Sequence, residues 1–156
     1  MRVECFIPSQ DLESLNCYLR QDLSGAFEGI SKPPFSEVCH GNVLIAGEKY
    51  GGSCLFYERI PIINLLSDMT QSVSRNKKVD KAEENFCDTE QLYSIRLQKR
   101  NDVLVIDDYL KFDYVKFQNR LRFDARRFFE ELLYFCPDFR KSRDFDVCRG
   151  TFKFDF

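Results

Sequence analysis

Twice along this 156-residue chain the spacing of the apolar side chains changes from every second position to every third or fourth. The first change follows "CLFYE". In "RIPIINLLSDMTQSVSR", Ile62, Leu65, Leu66, Met69 and Val73 share one helical face. The second follows "YLKFDYVKF", where Leu110, Phe112 and Tyr114 face one way and Lys111 and Asp113 the other. In "LRFDARRFFEELLYFC", Ala125, Phe128, Phe129, Leu132, Leu133 and Cys136 then recur at three and four. A period of two gives a strand one apolar face, and a period near 3.6 gives a helix one apolar stripe. A chain holding both must bury sheet faces against helix stripes.

The rest of the chain fits that frame. "RVECFI" predicts a short opening strand ended by Pro8. "SQDLESLNCYLRQDL" predicts a helix over about 10–22, with Ser9 as N-cap and Leu12, Leu15, Leu19 and Leu23 on one side. Gly25, Gly29, Pro33 and Pro34 mark a loop. "VCHGNVLIAGEKYGGSCLFYE" reads as two strands, with Gly51-Gly52 at the reversal because glycine tolerates the positive φ of a tight hairpin. Pro61 suits the first turn of a helix over 61–75. Residues 76–90, "NKKVDKAEENFCDTE", are charged and without a period, and read as an exposed connection. "QLYSIRLQKRNDVLVIDD" returns to alternation as a hairpin turning at Asn101-Asp102, with Tyr93, Ile95 and Leu97 on one face. Arg126–Glu130 and Arg127–Glu131 are spaced to pair along the last helix. Pro137 stops that helix, and residues 138–156 read as either a further strand or a mobile tail. The expected class is α+β: a single domain over 1–156, mainly an antiparallel sheet with three helices packed over one face.

Composition narrows the function. The 16 Phe and 7 Tyr, with no Trp, predict a Phe-rich core, since each buried ring brings roughly 150–250 Å² of surface inside. Net charge is −2, with an acidic balance before residue 95 and a basic one after it, so the chain as a whole lacks a nucleic-acid footprint. The seven cysteines are irregularly spaced and form no C-x-x-C. With no signal-peptide pattern and no run of ~18 apolar residues, the expected setting is the reducing cytoplasm, with free and mostly buried thiols.

The chemistry-bearing motifs are few. His40 is the single histidine, and Cys39 beside it would point to the opposite face of a strand. One His and scattered Cys give no zinc spacing, and "AGEKYGGS" matches no phosphate-binding loop. No cofactor or metal is expected. Carboxylates at Glu58, Asp107, Asp108 and Asp113 would need a cleft and shifted pKa values to act as acid and base. Arg120, Arg122, Arg126, Arg127, Arg140, Lys141 and Arg143 lie among Phe residues, a mixture that suits single-stranded nucleic acid. A packed core under a solvated face accounts for the same pattern.

The succession of "GEKYGGSCLFYERIPIINLLSDM", "YSIRLQKRNDVLVI" and "YVKFQNRLRFDARRFFEELLYF" resembles the small cytoplasmic immunity proteins that neutralise bacterial polymorphic or contact-dependent toxins. That resemblance implies a stoichiometric inhibitor rather than an enzyme, with the C-terminal domain of a cognate toxin, often a nuclease, as partner. Asp107, Asp108 and Asp113 are then expected on an exposed strand end, with Tyr109 and Tyr114 as anchors. A small carboxylate-dependent enzyme and a nucleic-acid-binding module stay open as alternatives.

Overall fold

The computed structural model describes residues 1–47, 53–87 and 93–156. It is an α+β fold with two antiparallel sheets. Strand β1 (Arg2–Phe6) leads into helix α1 (Ser9–Leu23), then the short helix α2 (Phe35–Val38). Strands β2 (His40–Ala46) and β3 (Cys54–Pro61) complete a three-stranded sheet ordered β1-β2-β3. Helix α3 (Ile62–Arg75) connects to a four-stranded meander of β4 (Lys81–Cys87), β5 (Ser94–Arg100), β6 (Val103–Ile106) and β7 (Leu110–Asp113). Helix α4 (Tyr114–Phe135), a 3-10 turn (Pro137–Lys141) and α5 (Arg143–Phe152) follow.

Both changes of apolar period mark sheet-to-helix junctions. Ile62, Leu65, Leu66, Met69 and Val73 are all buried on α3, and Pro61 stands at its N-cap. The second junction lies earlier than the spacing predicts. Asp113 caps α4 by accepting the Lys116 N–H at 2.9 Å, so the helix begins at Tyr114. Its stripe of Phe117, Leu121, Ala125, Phe128 and Leu132 is buried. Helix α1 starts at Ser9 itself, with Pro8 at the N-cap and no side-chain cap.

Three expectations are corrected. The strands form two sheets rather than one, and α3 and α4 contact strands of both. Within 76–90, Lys81–Cys87 is an edge strand paired along its length with β5. Its inward residues Ala82, Glu84 and Phe86 are half-buried and the others exposed, which leaves too few apolar side chains for a period to show. Residues 138–156 are neither a strand nor a mobile tail over most of their length. Phe145, Cys148 and Phe152 lie three and four apart on α5, and Ser142 caps it by accepting the Phe145 N–H. The alternation of Phe152, Phe154 and Phe156 belongs to a stack that runs past the helix end, with ring centroids 5.3 and 4.8 Å apart. The Gly51-Gly52 reversal lies outside the described residues.

One continuous core joins both sheets and the helices. Phe35, Phe117, Phe129 and Phe139 are fully buried in it, with Phe35 and Phe139 at 4.8 Å. Burying each such ring contributes about 1.5–3 kcal/mol. The predicted wet face belongs to the four-stranded sheet: Ile95, Leu97, Leu104, Ile106, Leu110 and Phe112 point inward, while Glu83, Arg100, Lys111 and Asp113 point out. In the other sheet, the free edge of β1 is covered by α4. Asp124 accepts the Val3 N–H at 2.7 Å and pairs with Arg120 at 2.9 Å, which satisfies an edge donor that water would otherwise have to reach.

The thiols are all free, but only Cys39, Cys136 and Cys148 are buried. Cys5 is half-buried, and Cys17, Cys54 and Cys87 are exposed, so "mostly buried" fails. Among the described residues no helix is long and apolar enough to cross a membrane.

Candidate functional site

The β6–β7 hairpin turns through Asp107-Asp108-Tyr109. Both aspartates take a left-handed backbone, φ 52° and 55°, and the Tyr109 N–H closes the turn on the Ile106 carbonyl at 3.0 Å. Two successive positive φ values match the twist of a tight hairpin, and Asp tolerates them better than most residues.

Asp107 braces this turn. Its backbone N–H donates to the Arg96 carbonyl at 2.9 Å, and its carboxylate accepts the Arg96 N–H at 2.7 Å. The side chain thus replaces the main-chain acceptor where the β5 ladder runs out. The second carboxylate oxygen accepts the Tyr57 hydroxyl at 2.5 Å. Tyr57 lies on β3, so this bond ties the two sheets together. Burial, with the hydrogen bond to Asp107, pushes the Tyr57 hydroxyl well above its ordinary range.

Asp108 and Tyr109 point the other way. Tyr109 is 55% exposed. Asp108 is exposed and pairs with Arg96 at 3.0 Å, and Arg96 also holds Glu83 at 2.8 Å. The Arg96 hydrogen bond keeps the Glu83 carboxyl below the usual carboxylate range. The tip therefore offers carboxylate acceptors and one aromatic ring on a braced turn.

Asp113 and Tyr114 leave this group. Asp113 pairs with Val103 at the far end of the hairpin, three residue steps or roughly 10 Å from the tip, and is occupied as the α4 cap. Tyr114 is 3% exposed, donates its hydroxyl to the Val73 carbonyl at 2.7 Å, and lies under the Lys99 ammonium at 4.3 Å. It anchors the core, not a partner. Glu83, Arg96 and Tyr57 were absent from the predicted set. Arg96 and Glu83 become visible once 81–87 is recognised as a strand; Tyr57 lies 50 residues from Asp107 and carries no local signal.

A second feature lies at the start of β2. Asp11, Ser14, His40, Asn42, Glu58 and Arg59 line an open cleft of about 580 Å³. It exists because β3 bulges: Asn42 faces both Glu58 and Arg59, Arg59 takes φ 53°, and its N–H donates to the Asn42 side chain at 3.1 Å. Bulges re-aim side chains in this way. Gly41 is required beside it, because a Cβ there would run into the Phe6 carbonyl and the Ile62 side chain. Cys39 is fully buried and His40 exposed, so the two do not form a dyad. Burial also pushes the Cys39 thiol far above its ordinary range, and the thiolate is the reactive form.

Among the described residues no three His, Cys, Asp or Glu side chains are gathered closely enough to hold a metal ion. In the C-terminal region, Phe128 and Phe129 are buried, and Arg120, Arg126 and Arg127 pair with Asp124, Glu130 and Glu131. These side chains are engaged within the fold. No family model, curated protein or solved structure matches this chain.

Proposed function

We propose that the chain is a stoichiometric protein inhibitor that binds a cognate bacterial toxin domain, in the manner of the immunity proteins it resembles. One observation carries this reading: the turn that presents Asp108 and Tyr109 is braced to a second sheet through Asp107 and Tyr57. A braced tip loses little conformational freedom on docking, which favours tight association. A tyrosine ring buries area at low entropy cost. Carboxylates beside it complement a basic cleft and speed encounter with it. If the toxin is a nuclease, Asp108 and Glu83 stand where substrate phosphates would.

The test is coexpression with the C-terminal domain encoded by the adjoining upstream gene. Growth is restored and calorimetry gives about 1:1 binding at nanomolar Kd. Changing Asp108 and Tyr109 together to Ala weakens binding about a hundredfold with the fold intact. No toxicity and no binding would overturn the reading.

The cleft beside His40 favours a second reading, a small carboxylate-dependent enzyme with Glu58 and Asp11 as acid and base. Turnover of p-nitrophenyl esters or phosphates by the wild type, lost in Glu58→Gln, would establish it; no turnover would remove it.

A further inference from the structure

Helices α3, α4 and α5 meet around a cleft of about 400 Å³, distinct from both features above. Its lining carries two cations, Arg122 and Lys153, with Thr70, the Gln71 side chain and the hydroxyls of Ser74 and Thr151; among the described residues no carboxylate contributes. That is unusual on a chain with net charge −2. On α4, Arg120, Arg126 and Arg127 each hold a carboxylate, whereas Arg122 has no ion pair among the described residues. Lys153 likewise has none, and it ends α5 in the left-handed conformation, φ 54°.

A separate observation concerns Thr70. The residue is 6% exposed, and its hydroxyl is buried without any hydrogen-bond partner. A buried polar group normally finds one; this hydroxyl is closed off from the cleft, so it marks an imperfectly packed wall and takes no part in binding. Phe152 closes one side of the cleft, with its ring stacked on Phe154.

We propose that this cleft binds a phosphomonoester carried on a compact ring-bearing small molecule. The guanidinium of Arg122 and the ammonium of Lys153 take the phosphate, as charge-assisted donors do. The Ser74 and Thr151 hydroxyls donate to its remaining oxygens, and the ring of the ligand lies along Phe152. The volume falls within the range of small-molecule sites and is far larger than inorganic phosphate alone would fill.

Amide NMR titrations at constant ionic strength test this, with phenyl phosphate, AMP, glucose 6-phosphate and inorganic phosphate as probes and sodium chloride as control. Saturable shifts confined to α3, α4 and α5 residues of the cleft are expected. Phenyl phosphate or AMP binds about tenfold more tightly than inorganic phosphate, and their order against glucose 6-phosphate tells an aromatic carrier from a sugar. Arg122→Gln weakens binding about tenfold or more. Lys153→Gly weakens binding while raising Tm, because glycine suits the left-handed backbone; a purely structural lysine would not move the two readouts in opposite senses. Shifts that never saturate, or affinities unchanged in both variants, overturn the proposal.

Discussion

The hairpin tip and the three-helix junction both hold non-glycine residues in the left-handed backbone region, and they support that conformation differently. At the tip, Asp107 offsets it with two carboxylate hydrogen bonds, one to the Arg96 N–H and one to the Tyr57 hydroxyl. At the junction, Lys153 is the left-handed cap of α5: its backbone N–H donates to the Arg149 carbonyl, as does the Phe154 N–H at 3.3 Å, and its side chain lines the cleft. Left-handed backbone costs an ordinary residue roughly 1–2 kcal/mol. Where the fold itself recovers that cost, the conformation belongs to the scaffold. Both conformations belong to the scaffold in that sense, one held by a side chain and one by main-chain capping bonds; what marks the junction as a ligand site is Arg122 and Lys153, not the backbone.

Substitutions separate the two cases. The largest expected effect is Asp107→Ala, which leaves the Arg96 N–H and the Tyr57 hydroxyl without their acceptor and should cost about 3 kcal/mol in urea denaturation. Its neighbour Asp108→Asn, which removes the charge on the exposed side of the same turn and keeps a residue that tolerates the left-handed backbone, should leave the urea midpoint nearly unchanged. Equal losses at the two positions would break the distinction between brace and tip.

Alkaline pH probes both regions together. Burial pushes the Cys148 thiol of α5 from 9.0 up to about 12 and raises the Tyr57 hydroxyl at the tip. The unfolded chain releases these protons first, so above about pH 9 it binds fewer of them than the folded chain, and stability falls as pH rises. The urea midpoint should drop between about pH 8 and about pH 10.5, and Tyr57→Phe should remove the tip's share of that drop. The same substitution at neutral pH should cost about 1 kcal/mol, one hydrogen bond between the sheets.

Smaller effects belong to the junction. Lys153→Gly should stabilise by about 0.5–1 kcal/mol. Thr70→Val, replacing a buried hydroxyl that has no partner, should be neutral or stabilising by up to about 1 kcal/mol. A clear loss of stability in Thr70→Val would mean that a water already satisfies the hydroxyl.

Legibility followed the range of the interactions. The α3 stripe, the apolar face of α4 and the Arg126–Glu130 and Arg127–Glu131 pairs are local patterns, and each stands where its spacing puts it. The β4 strand was hidden because an edge strand with one half-buried face needs few apolar residues. Helix α5 was hidden because Phe154 and Phe156, stacked beyond its end, prolong an apparent alternation. In the candidate site, the neighbouring Asp107, Asp108 and Tyr109 stay together, while Asp113 and Tyr114 look close in sequence but belong to the opposite end of the hairpin and to the core.

The sequence by itself determined the class of fold, the α3 and α4 stripes and the place of the acidic turn, because backbone periodicity acts over a few residues and repeats along an element. Tertiary structure alone decided that the strands divide into two sheets, that Asp107 bonds to a tyrosine 50 residues away, and that Arg122, Lys153 and Thr70 line one cleft. Those outcomes depend on how elements distant in sequence pack, and a pairing across such distances leaves no periodic trace in the chain.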